Sequence, residues 1–173
     1  MICIKKAAFT DIEILCKINV QTWKDAYINI LPKEYLNKLS NCSRINHFKK
    51  ELSNNSNFIF LMFLDKRCIG YINWNVNVCL AEIKELYIIK EFWMMGYGCE
   101  LVKSTFNEIK KLGIGKFFLW VLYENINAIN FYRSIGCVYS GDSKYIKIDN
   151  DNYTVIKMCG EIEDINLIAK MKG

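Results

Sequence analysis

The feature that most constrains the fold is a glycine-containing turn at residues 94–99, between an apolar strand-like run at 86–89 and a helix-like run at 100–112. A strand that enters a helix through such a turn points several free backbone N–H groups, and the positive end of the helix, at one place. Glycine at positions 96 and 98 lets the chain take positive φ and lets a ligand approach without a Cβ in the way. The pattern predicts an anion site, with pyrophosphate as the natural ligand, and a plain helix entry as the alternative.

A second motif follows a strand-like run over residues 117–122. Asn125 is a favoured N-cap residue, and Gly136 is a favoured residue for ending a helix. Residues at helical spacing lie between them: Ala128, Phe131, Tyr132 and Ile135. The motif predicts a short capped helix.

Together the two motifs resemble the GCN5-related N-acetyltransferase (GNAT) superfamily, in its small bacterial single-domain branch, through strand, glycine turn, helix, strand and N-x-x-A-x-x-F-Y-x-x-x-G. The resemblance runs from about residue 2 to about residue 159. It implies an α/β fold (α+β in some schemes), with a mixed, mostly antiparallel sheet of six to seven strands flanked by helices. It also implies acetyl-CoA as the cofactor, and a sheet that splays between the strand ending near Ile89 and the strand 117–122 to receive the pantetheine arm.

Cofactor contacts follow from the same resemblance. Leu86 and Ile88 match the main-chain positions that bind the pantetheine arm, and the Leu86 N–H matches a donor to the acetyl oxygen. Trp93 stands where the family usually has Gln or Arg, and Met95 stands where a basic residue is common, so main-chain donors are expected to dominate. The expected cofactor-binding set is Leu86, Tyr87, Ile88, Trp93, Met94, Met95, Gly96, Tyr97, Gly98, Cys99, Asn125, Ala128 and Tyr132.

Acetyl transfer to an amine requires a neutral amine and a proton for the departing thiolate, whereas a primary amine has a pKa of about 10. Glu82 matches the family glutamate that serves as base in the histone-modifying branch. Glu85 is the second candidate. Odd and even positions of a strand face opposite sides, and the sequence does not show which side opens on the cleft. A surface position is the alternative for both carboxylates, and ordered water could replace them. Tyr132 matches the tyrosine near the cofactor sulfur, with packing on its helix as the alternative.

The resemblance also suggests an aromatic acceptor site that favours a cationic amine. Its expected lining is Trp23, Tyr27, Tyr35 and Trp74. Core packing is the alternative for the first two, which share a helical spacing.

Several functions stay open at this point. The leading prediction is direct transfer to a small-molecule amine, and a protein N-terminus or lysine is the alternative within the same class. A catalytically silent CoA-binding sensor is the rival from another class. A nucleotide site is disfavoured, because no G-K-[ST] follows the turn and no G-x-G-x-x-G is complete.

Composition narrows the setting. The eight cysteines never form C-x-x-C, so they are expected to be small buried hydrophobes in a reducing cytosol, and with the single His47 they indicate no metal site. The net charge of +5 is mild and the lysines are scattered, which does not indicate nucleic acid binding. No stretch predicts a membrane span or a secretory signal, so a cytoplasmic protein is expected. Dimers form through C-terminal strands in this family, and the oligomeric state stays open.

A few local predictions complete the pattern. One domain is expected over residues 1–160, followed by a tail at 161–173 that forms a short helix or frays. Thr10 is expected to open the first helix with capping-box character. Asp65-Lys66 is expected to turn one hairpin, and the four residues 149–152 are expected to join another.

Overall fold

The computed structural model describes residues 1–163. Within them seven strands form one hydrogen-bonded sheet in the order β1-β2-β3-β4-β5-β7-β6. The strands are β1 Ile2–Lys6, β2 Asn57–Leu64, β3 Arg67–Asn77, β4 Leu80–Ile88, β5 Lys116–Leu122, β6 Val138–Ile148 and β7 Asp151–Glu161. The helices are α1 Ile12–Ala26, α2 Lys33–Lys38, α3 Asn41–Ser53, α4 Tyr97–Lys111 and α5 Ile126–Ser134. The predicted mixed sheet flanked by helices is confirmed.

The chain divides into two compact units. Among the described residues, the first holds 1–75 and 84–105, and the second holds 76–83 and 106–163. The expectation of a single domain over residues 1–160 stays a prediction. Of the expected tail, Glu161 ends β7, and residues 164–173 lie outside the described part of the chain.

In the first unit, β1, β2 and β3 are antiparallel neighbours. Asp65 and Lys66 both take positive φ, 47° and 73°, so the predicted two-residue hairpin turn is confirmed. α1 packs against α3, and both cover this part of the sheet. The core they share is Ala7, Leu15, Cys16, Ile18, Phe48, Ile59, Leu61, Cys68, Tyr71 and Ile89.

In the second unit, β5 pairs in parallel with the start of β4, from Ala81 opposite Phe117 to Ile83 opposite Leu119. β7 lies between β5 and β6 and is antiparallel to both. The Phe117 ring packs against Phe106 of α4 at a centroid distance of 4.6 Å. The crossover through α4 is what allows two strands of the same direction to lie side by side.

Two local predictions are wrong. Thr10 does not cap α1, because residues 9–11 form a short 3-10 turn in which the Asp11 carboxylate accepts from the N–H of Ala8 at 2.9 Å. The second hairpin has a two-residue turn rather than four residues, since Asp151 already pairs with Ile148. Both errors arise where polar residues bond to the backbone or pair at an exposed strand end, which periodicity does not reveal.

The cysteines also differ from expectation. Cys16, Cys68 and Cys137 are buried, but four others are exposed, and all eight are free thiols. The exposed four are Cys3, Cys42, Cys79 and Cys99. No helix in residues 1–163 combines the length and the apolar character needed to cross a bilayer.

Candidate functional site

The glycine turn lies where it was predicted, but it contains fewer residues than expected. Met94 and Gly96 take positive φ, 61° and 84°, and α4 begins at Tyr97. Of the two glycines that permit positive φ, Gly96 takes it and Gly98 lies in the first turn of α4. The first helical hydrogen bond runs from the N–H of Glu100 to the oxygen of Gly96 at 3.1 Å.

The turn fits a pyrophosphate. The N–H groups of Tyr97, Gly98 and Cys99 precede the first helical hydrogen bond, and the first N–H groups of a helix have no partner inside it. A Cβ built on Gly96 would meet no atom within 4 Å, so the backbone is open to a ligand there. Met94 is fully exposed, and neither methionine of the turn supplies a charge. The donor set is therefore the main chain and the positive helix end.

Trp93, which departs from the family pattern, bonds the strand instead of reaching outward. Its Nε1 donates to the oxygen of Ile88 at 2.6 Å. One lone pair of that carbonyl is therefore taken within the chain. This contact fixes the turn to the end of β4 and leaves the Ile88 N–H and a second lone pair for a pantetheine arm.

The end of β4 has main-chain groups that do not face its neighbour β3. The N–H of Ile89 donates to Ile69 of β3 at 2.8 Å, so by strand alternation the main-chain groups of Leu86 and Ile88 face away from β3. Gly70 allows this close approach, because a Cβ there would lie 2.4 Å from the oxygen of Tyr87.

Glu85 lies at the centre of a polar cluster in the first unit. Its carboxylate bonds His47 Nε2 at 3.1 Å and accepts from the Tyr71 hydroxyl at 3.2 Å and from Asn73 Nδ2 at 3.3 Å. The side chain of Glu85 is 14% exposed. Three elements, α3, β3 and β4, thus hold one carboxylate in a fixed orientation.

Glu51 extends the cluster along α3. Its carboxylate pairs with Lys84 and accepts from Asn73 Nδ2 at 2.9 Å and from Asn57 Nδ2 at 3.0 Å. Burial opposes the ionised form of Glu51, but the hydrogen bonds from Lys84 and Asn73 outweigh it and lower the pKa of the carboxyl. Lys84 and Asn73 therefore stabilise Glu51 as a carboxylate.

The cluster also shifts its other titrating groups. The hydrogen bond to Glu85 raises the pKa of His47, while burial and the charge of Arg44 oppose that rise. Burial, and then the Glu85 charge, raises the pKa of Tyr71 well above its ordinary value, and its hydroxyl also accepts from Asn19 Nδ2 at 2.7 Å. Tyr71 is therefore a neutral donor to Glu85.

The four aromatic residues expected at an acceptor site have different surroundings. Trp23 packs edge-on to Tyr27 at 5.0 Å, and the Tyr27 hydroxyl lies 3.1 Å from that of Tyr87 on β4. Tyr35 is half-buried on α2. Trp74 is 1% exposed and stacks on Phe58, so Trp74 occupies a core position.

In the second unit, Asn125 is the N-cap of α5 as predicted, because its Oδ1 accepts from the N–H of Ala128 at 3.2 Å. Tyr132 is half-buried on this helix, with its ring 5.3 Å from that of Phe131. Glu82 lies on β4 and is half-buried. The proposed catalytic and binding roles of these residues stay predictions.

Sequence reasoning missed His47, Tyr71 and Asn73 as partners of Glu85. His47 and Glu85 are 38 positions apart, and no local pattern links a helix residue to a strand residue at such a separation. Their one sequence signal is the placement of polar residues within apolar strands, such as Asn73 in β3. Among residues 1–163, no group of three or more His, Cys, Asp or Glu side chains is placed to hold a metal ion.

The fold and the turn define a class, and comparison with known proteins agrees. The model of the acetyltransferase (GNAT) family matches residues 21–137. A spermidine N(1)-acetyltransferase of Thermoplasma acidophilum is 28% identical over 138 residues, which cover 77% of this chain and 86% of that protein. An uncharacterized N-acetyltransferase of Bacillus subtilis, YuaI, is 24% identical over 161 residues, covering 90% of this chain and 86% of that protein.

Solved structures give the same result. A PaiA N-acetyltransferase of Thermoplasma acidophilum, in complex with coenzyme A, has a TM-score of 0.70 at 25% identity and covers 93% of this chain and 99% of its own. A spermidine N-acetyltransferase of Vibrio cholerae, in complex with CoA and spermine, has a TM-score of 0.72 at 19% identity, covers 95% of this chain and 98% of its own, and shows the fold alone.

This chain belongs to the GNAT family of acetyltransferases. Membership confirms the predicted enzyme class and the predicted cofactor, acetyl-CoA.

Proposed function

We propose that the chain transfers an acetyl group from acetyl-CoA directly to a primary amine of a small molecule, within a ternary complex. The proposal rests on one stretch of the first unit, which runs from β4 into the glycine turn. β4 places Glu85 in a fixed, partly desolvated cluster, and the same strand leads into the glycine turn at the start of α4. A base and an anion site are thus built on consecutive elements. The similarity to a spermidine N(1)-acetyltransferase supports a small amine as acceptor.

Each group of the chain has a proposed task. When bound, acetyl-CoA supplies the thioester whose acetyl group is transferred. Main-chain N–H groups at Tyr97, Gly98 and Cys99 bind the pyrophosphate, and the main chain at Leu86 and Ile88 binds the pantetheine arm. These assignments use only groups that the turn and the end of β4 expose.

Glu85 removes a proton from the substrate ammonium, directly or through water, because a protonated amine has no lone pair with which to attack. Three hydrogen bonds fix the orientation of Glu85, and Glu82 is the alternative base. Tyr132 donates a proton to the departing sulfur. Two points support this role: the resemblance to the family, and the ordinary pKa of a phenol, which is about 10.

The cofactor site is tested by replacing Gly96 with Val. The substitution adds bulk at the turn and strains a backbone of φ 84°, so we expect the Kd for CoA to rise on the order of tenfold or more. Gly113→Val is the matched control, because Gly113 also has positive φ, 75°, and open space around its Cβ position. Isothermal titration calorimetry measures both. Equal Kd values in the two variants would remove the turn from the cofactor site.

The chemistry is tested by thiol release from acetyl-CoA over a panel of diamines, spermidine, amino acids and lysine peptides. We expect turnover of small amines, and Tyr132→Phe should lower kcat on the order of a hundredfold while changing the Kd for CoA little. Turnover of peptides alone would indicate a protein acetyltransferase. CoA binding with no turnover of any amine would indicate a sensor.

A further inference from the structure

Two neighbouring side chains of the first unit carry hydrogen-bond donors without acceptors. Within residues 1–163, Nε and Nη2 of Arg44 on α3 have no hydrogen-bond partner and are shielded from solvent, and the same holds for Nε1 of Trp23 on α1. The guanidinium carbon of Arg44 lies 4.5 Å from the centre of the Trp23 ring. Three unpaired N–H donors thus belong to two side chains in contact.

Nothing in these two side chains can satisfy the donors. Arginine and tryptophan side chains donate hydrogen bonds and accept none, and a guanidinium stays charged at neutral pH. A buried donor without an acceptor is destabilising, and the contact of the cation with the indole face offsets only part of that cost. An acceptor from outside the chain, preferably an anion, would satisfy these donors.

The geometry of the donors selects the type of anion. Nε and Nη2 lie on one edge of the planar guanidinium, and this edge matches the two oxygens of a carboxylate through parallel hydrogen bonds. We propose that Arg44 and Trp23 bind a carboxylate of the acceptor, so that the substrate is an amino carboxylate such as an amino acid. This inference rests on the proposed small-amine acetyltransferase function.

Contacts connect this donor pair to the place where the amine would react. Trp23 packs edge-on to Tyr27, whose hydroxyl meets that of Tyr87 on β4, the residue between the two predicted main-chain cofactor contacts. The charge of Arg44 also acts on His47, which bonds Glu85.

The first unit therefore offers a cation for a carboxylate and, nearby, a carboxylate for an ammonium group. A zwitterionic amine complements both charges. A polyamine carries only positive charges and would be repelled by Arg44.

The test compares each amino acid with its own carboxamide, which has nearly the same shape and no carboxylate charge. Calorimetry with the full chain in the presence of CoA measures the binding of lysine, alanine and phenylalanine and of their three amides. At least one acid is expected to bind on the order of ten- to a hundredfold more tightly than its amide. Arg44→Met should collapse that ratio toward one, and Arg44→Lys, which keeps the charge but loses the two-donor edge, should lower it less.

Lys50→Met is the matched control, because it removes a positive charge from an exposed position of the same helix and should keep the wild-type ratio. Equal binding of acids and amides, absence of binding by both, or tighter binding of spermidine would overturn the proposal. If Arg44→Met does not fold, the wild-type ratio and Arg44→Lys decide. Thiol release from diamines without any acid preference would leave the acetyltransferase proposal standing while removing this one.

Discussion

Two polar groups of the first unit, built on overlapping elements, differ in how their hydrogen bonds are satisfied. The cluster around Glu85 joins α3, β3 and β4, and its carboxylates meet donors from lysine, histidine, tyrosine and asparagine side chains. The pair Arg44 and Trp23 joins α3 and α1, and three of its N–H donors meet no acceptor.

The difference separates two carboxylates that the fold surrounds with donors from a guanidinium that it leaves without an acceptor. A buried carboxylate that accepts hydrogen bonds from several donors is stable without a ligand. Removing one donor is destabilising, because the buried charge then loses part of its compensation. An unpaired guanidinium has the opposite property, because removing it relieves a cost. Removing a partner of the carboxylates should therefore lower stability, whereas removing the guanidinium should change stability little.

The largest expected effect comes from breaking the satisfied cluster at its centre. Glu85→Gln keeps the shape but removes the group proposed to take the proton, so kcat/KM should fall by about 10²- to 10⁴-fold. Steady-state thiol release measures the loss. A larger loss in Glu82→Gln than in Glu85→Gln would move the base to Glu82 and leave the cluster with a structural role.

The next effect contrasts stability in the two groups. Lys84→Met leaves the Glu51 carboxylate, which is 8% exposed, without its cation, and should lower the free energy of unfolding by about 1–3 kcal/mol. The loss is smaller than for a fully buried ion pair, because the Lys84 side chain is 26% exposed in the wild type. Arg44→Met should change it by less than about 1 kcal/mol, since no ion pair is lost. Urea unfolding measures both, with Lys50→Met as the surface control. A loss in Arg44→Met as large as that in Lys84→Met would show that Arg44 is already paired.

The smallest effect is a pH dependence from His47. Its pKa in the folded protein is raised above the ordinary 6.5, so its pairing with Glu85 contributes fully to stability below pH 6.5 and is lost as pH rises through the raised value. The difference in Tm between wild type and His47→Gln should shrink over that range. Because the chain has one histidine, its imidazole NMR signal reports the pKa directly. The raised pKa should return toward 6.5 in Glu85→Gln, and an unchanged value in that variant would contradict the pairing.

Local chemistry made several parts of the fold predictable. Asp65-Lys66 turns the first hairpin, Asn125 caps α5, and the glycine turn opens α4. Where the prediction failed, a neighbouring backbone group had the deciding role. Thr10 was expected to open α1, but the Asp11 carboxylate accepts from the N–H of Ala8 instead.

The sequence by itself determined the order of strands and helices, the turn at Gly96 and the resemblance that identified the family, because turns, caps and periodicity depend on residues a few positions apart. Only the tertiary structure decided that His47 and Asn73 surround Glu85 and that Arg44 lies over Trp23. Those contacts depend on how α1 and α3 pack against the sheet, and whether a buried polar group is paired is a property of that packing rather than of any local pattern.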